Sequence, residues 1–145
     1  MKKVIFIIIQ VSLLAASLVA VLSMFSCRRA TNNGKIDGNW RIETMEDVAT
    51  GEVSHPVNFF LAIQLEMAQF REESAAGGPQ LNALISYTKG ADEIGMEFPE
   101  GAGNHNSYLE TFRMPSRNVT FRILKLDCSK LVLESPTTIY RCSRF

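Results

Sequence analysis

The sequence is short of the residues from which reactive sites are usually built. Among its 145 residues are two histidines, three cysteines and one tryptophan. His55 and His105 stand apart in polar stretches, so no His-x-x-His or His-Glu-x-x-His pair exists to seat a metal, and there is no Cys-x-x-Cys. No Gly-x-Ser-x-Gly provides a nucleophile elbow. Gly101-Ala102-Gly103-Asn104 lacks the further glycine and the following helix of a phosphate loop. Glu72-Glu73 and Asp92-Glu93 are adjacent acidic pairs at expected strand ends, where solvated turn charge explains them. The formal net charge of +0 leaves no electrostatic footprint for nucleic acid. Heptads, longer repeats and low-complexity tracts are also missing. Together these absences argue against an enzyme, a cofactor, a metal and a nucleic-acid partner.

Long apolar runs are equally scarce. The one present, Val4 to Leu22, follows Met1-Lys2-Lys3 and leads into Ser23-Met24-Phe25-Ser26-Cys27. A basic start, an apolar stretch and a small residue before a cysteine read as a lipoprotein signal peptide. Ser26 fits a peptidase pocket, and Cys27 supplies the thiol that takes the lipid. An uncleaved anchor helix is the competing reading, because the run approaches the ~20 residues that span a bilayer. The expected division is residues 1–26 as signal peptide, 27–35 as lipidated cysteine and polar tether, and 36–145 as one folded domain. Loss of Lys2 and Lys3 shifts the net charge to −2. Arg28 and Arg29 stand next to the lipid, as juxtamembrane basic residues do.

Beyond Gly38 the pattern is period two. Trp40, Ile42 and Thr44 share a face of the first strand. Thr50-Gly51 makes a turn and His55-Pro56 an extended entry. Val57 to Phe70 alternates as one long strand with Phe59, Leu61, Ile63, Leu65 and Met67 on one side, a helix being its main competitor. Further strands are expected around Leu81–Tyr87, Ile94–Phe98, Asn118–Leu126 (with a bulge shifting its apolar side to Leu124 and Leu126), Leu131–Leu133 and Ile139–Phe145. Residues 107–114 allow either a helical turn or a short strand. Seven or eight strands in meander order predict an all-β fold, an antiparallel up-and-down barrel whose closure removes its edges. A sandwich is the alternative.

Gly38-Asn39-Trp40 on the first strand resembles the Gly-x-Trp motif of lipocalins and related calycins. The order of elements over residues 36–145 resembles the small lipocalin-like lipoproteins of Bacteroidetes, with a Phe-Arg-Ile-x-Lys-Leu strand at Phe121–Leu126, a Leu-Val-Leu strand and an aromatic-Arg ending at Tyr140-Arg141. The resemblance implies an arginine from the last strand packed over Trp40 to close the barrel's narrow end. Arg141 is preferred, since it shares a face with Ile139, and Arg144 stays open. A guanidinium on indole gains roughly 0.5–2 kcal/mol. The same resemblance links surface display to acidic residues after the lipidated cysteine. Their absence at Arg28-Arg29-Ala30-Thr31 points to an outer-membrane protein facing the periplasm.

Two functions remain open. In one, the barrel is a membrane-anchored binding module holding a small hydrophobic or amphipathic ligand, lined by Phe59, Leu61, Ile63, Leu65, Ile85, Tyr87, Met96, Phe98 and Phe121. In the other, those residues are simply the core and the filled barrel serves a protein partner. Cys128 and Cys142 form an even pair once Cys27 carries lipid, but are neighbours only on the diagonal, so a disulfide is left undecided.

Overall fold

The structure, a computed structural model, describes residues 32–101 and 103–145. The expected signal peptide or anchor helix and the expected lipidation of Cys27 therefore lie outside the described residues. No helix among the described residues is long and apolar enough to cross a membrane. A short 3-10 turn, Gly34–Ile36, leads into β1 (Gly38–Asp47), β2 (Val53–Ser54), β3 (Phe59–Gln64), β4 (Met67–Glu72), β5 (Gln80–Ser86) and β6 (Glu93–Glu97). A helix, α1 (Asn106–Thr111), precedes β7 (Asn118–Leu126), β8 (Lys130–Glu134) and β9 (Thr138–Arg144).

Every strand pairs antiparallel with its successor from β3 to β9, and β9 returns to β1. The far edge of β1 takes β3 along Gly38–Arg41 and β2 at Met45 and Glu46, so β2 and β3 act as one interrupted staple. The result is a closed eight-stranded antiparallel barrel, the expected class. Closure satisfies the edge groups that an open meander would leave bare.

The long strand expected over Val57–Phe70 is instead a hairpin. β3 and β4 pair from Phe59↔Glu72 to Gln64↔Met67, and Leu65-Glu66 is the two-residue turn. Leu65 takes the left-handed φ of 55°. Alternation survives through such a turn but its phase changes: Leu61 and Ile63 point inward on β3, then Ala68 and Phe70 on β4, while Met67 is exposed. Thr44 is displaced in the same manner. A bulge between Ile42 and Thr44 slips the β1–β9 register, and Met45 takes the inward place expected for Thr44. The expected bulge in β7 lies between Ile123 and Lys125, with Leu126 packed on the core and Leu124 left exposed.

Candidate functional site

The barrel has two unlike ends. At one, Trp40 is fully buried and its indole N–H donates to the Ile36 carbonyl at 2.9 Å. Arg144, the register partner of Trp40, lays its guanidinium 4.2 Å from the indole centroid. Its two Nη atoms donate to the carbonyls of Asp37 (3.2 Å) and Lys35 (2.6 Å), which fixes the entering chain across the barrel floor. Gly38 makes room for it: a Cβ there would stand 2.5 Å from Arg144 Nη1, and the backbone φ is 143°. The glycine of the Gly-x-Trp motif thus serves the arginine.

The preference for Arg141 is overturned. Inward-facing Tyr140 and Cys142 flank Arg141, so its side chain points outward, where it meets Glu46 at 2.6 Å. Arg144 comes two residues beyond Cys142 on the inward phase, where Trp40 lies.

At the other end the 98–117 segment folds over the mouth. Asn104, buried, copies a strand residue: its Oδ1 accepts from Asn82 N at 2.8 Å, and its Nδ2 donates to Asn82 O (2.8 Å) and Pro99 O (2.9 Å). Arg117 bonds the carbonyls of Phe98 and Asn104 and the Asn106 side chain, tying both ends of the segment together. Helix α1 lies between them, and Phe112, just past it, is fully buried. The Tyr140 hydroxyl reaches up from the barrel wall and donates to Phe112 O at 2.7 Å. Burial holds the Tyr140 phenol well above its ordinary pKa, so it remains a donor.

Between floor and mouth the interior is aromatic. Phe70 is its hub, with ring centroids 6.1 Å from Phe98, 5.9 Å from Phe112, 6.4 Å from Phe121 and 6.1 Å from Tyr140. These spacings are those of packed, offset or tilted ring pairs. Leu61, Ile63, Met96, Phe98 and Phe121, all considered for a ligand lining, are buried in this one cluster, with Phe59, Ile85 and Tyr87 half-buried against it. Leu65 does not belong: as the turn residue it is exposed. The structure also brings in Met45, Phe70, Phe112, Leu133 and Tyr140. Tyr140 alternates inward on a strand the sequence announces; Phe112 comes from a loop, where period two gives no signal.

Open depressions mark the outer wall. One of about 280 Å³ lies over Leu84, Ser86, Gly95, Glu97 and Thr120, where Gly95 contributes no side chain. Among the described residues no group of three His, Cys, Asp or Glu side chains is placed to hold a metal ion. Cys128 is exposed and Cys142 buried, both as free thiols; burial pushes the Cys142 pKa up to about 12.

A closed eight-stranded barrel with a short 3-10 turn, tryptophan and arginine at its floor is the architecture of a lipocalin-like protein. The model of the lipocalin-like domain family matches residues 20–145, and the chain belongs to that family. Its fold is similar to that of a lipocalin-like protein from Bacteroides uniformis, at 21% identity and a TM-score of 0.65, over 77% of this chain and 100% of that one. It is also similar to an uncharacterized protein from Bacteroides eggerthii, at 18% identity and a TM-score of 0.62, over 75% of this chain and 98% of that one. At these identities the likeness is one of fold. No curated protein matches the sequence.

Proposed function

We propose that this protein is a lipid-anchored, lipocalin-like module of the cell envelope, held at the outer membrane through Cys27 and facing the periplasm. Its barrel works as a filled, rigid body that offers its outer surface to a protein partner. One observation carries this choice: the ring cluster around Phe70 runs to the mouth, where Phe112 is fully buried against it. A close-packed interior of this kind leaves a small molecule nothing to contact without displacing a side chain. The reading assigns no catalytic role and no metal or cofactor.

A second reading is favoured by how Phe112 is delivered. It comes from a connecting segment and is held by the Tyr140 hydroxyl, Asn104 and Arg117. A segment swinging outward would exchange the phenyl ring for a small apolar ligand. Native mass of residues 28–145, before and after organic extraction, separates the two. A clean apo mass that persists after exposure to a lipid and sterol mixture supports the filled barrel. A removable mass of a few hundred daltons supports interior binding.

A further inference from the structure

We infer that the barrel end carrying the Leu65-Glu66 turn is seated on a lipid surface, with Leu65, Met67 and Leu84 among the headgroups. The inference rests on the proposed lipidation of Cys27.

Three large apolar side chains are exposed side by side at this end: Leu65 at 52%, Met67 at 55% and Leu84 at 50%. Met67 and Leu84 are register partners across β4 and β5, which puts their Cβ atoms about 5 Å apart on the outer wall. Leu65 sits at the tip of the adjoining turn. None of the three joins the interior cluster. A solvent-facing residue at a left-handed turn position is ordinarily glycine or asparagine, so leucine there calls for a reason other than local folding.

The covering partner is set by the tether. Asn33 Nδ2 donates to the Leu65 carbonyl at 2.6 Å, and its side chain also binds Asp37, so the entering chain is pinned at this turn. Asn33 lies six residues beyond Cys27. Fully extended, six residues reach about 20 Å. The patch is therefore confined within that distance of the acyl chains, whereas the mouth with Phe112 lies a further strand's length away. Charge at this end is mixed. Lys35 and Lys89 face solvent, against Glu66, Asp92 and Glu93. The apolar side chains thus carry the contact.

The test uses the acylated mature protein, residues 27–145, carrying Cys128→Ser, reconstituted into vesicles of phosphatidylethanolamine and phosphatidylglycerol. One fluorophore is placed at Leu84→Cys or, as a control at the mouth end, at Val57→Cys. Lipids brominated near the headgroup end of their acyl chains should quench the label at residue 84 at least twofold more than that at residue 57. Equal quenching at both overturns the seat. Shielding of residue 84 from iodide without quenching by brominated lipid, rising with protein density, also overturns it and indicates a second copy on the patch. The intact mass separates the failures: an unacylated Cys27 removes the anchoring itself, while an acylated Cys27 with an unquenched label removes the seat alone.

Discussion

Arg144 and Trp40 are register partners on the last and first strands, and the guanidinium lies 4.2 Å from the indole centroid while bonding two carbonyls of the entering chain. Arg141, three residues earlier, makes only an outer-surface ion pair with Glu46. Substituting Arg144→Ala should therefore destabilise the barrel by about 1–2 kcal/mol, and Arg141→Ala by less than about 0.5 kcal/mol. Urea unfolding checks this through the midpoint at unchanged slope.

Gly38→Ala should weaken the same closure from the opposite side. The new methyl would press on Arg144 Nη1, and the backbone would be held at an unfavourable φ. A loss of about 1–3 kcal/mol is expected. If the guanidinium is what the glycine accommodates, the loss in the Arg144→Ala background should be smaller than in the native chain, a coupling that a double-mutant cycle measures.

Tyr140→Phe removes the hydroxyl that holds the Phe112 carbonyl while leaving the ring packing in place. The expected loss is about 1–2 kcal/mol, since a buried carbonyl is left partly unsatisfied. Hydrogen exchange should quicken over residues 106–114 and stay unchanged in β1 and β9.

The two thiols should differ sharply. Cys128 is exposed and should react with a maleimide at pH 8, whereas Cys142 should react only after unfolding. The raised Cys142 pKa gives stability a definite pH dependence. The unfolded chain loses its thiol proton near 9 and the folded one near 12, so this contribution is intact below pH 9 and declines between 9 and 12. Cys142→Ala should flatten that alkaline limb in pH-dependent urea unfolding.

Leu65→Gly should stabilise the β3–β4 turn by about 1 kcal/mol, because glycine adopts φ near 55° without a Cβ penalty. Thermal unfolding of the soluble domain gives the measurement. The same change should weaken the proposed lipid contact, so stability and membrane association would move in opposite directions.

Much of the barrel could be read from alternation, because most inward residues of its strands are apolar. What escaped reading did so for identifiable reasons. Leu65-Glu66 turns the chain without glycine, asparagine or proline, so period two runs through the hairpin and hides it. The bulge at Ile42–Thr44 shifts phase by one residue without a compositional mark. Arg141 and Arg144 are chemically equivalent in the sequence; only the register against Trp40 separates them. Phe112 reaches the interior from a connection, and no periodicity reports on that. The resemblance carried by Gly-x-Trp pointed to a closing arginine, and the geometry of Gly38 identifies which one it is.

The β1–β9 seam also bears on the timing of folding. Strands from the two ends of the domain must meet, and Trp40 waits for a residue 104 positions later before its floor is complete. A chain emerging amino end first cannot shut its barrel until β9 has appeared. The late seam keeps a partly emerged chain open and threadable, and makes β9 the latch that ends that condition.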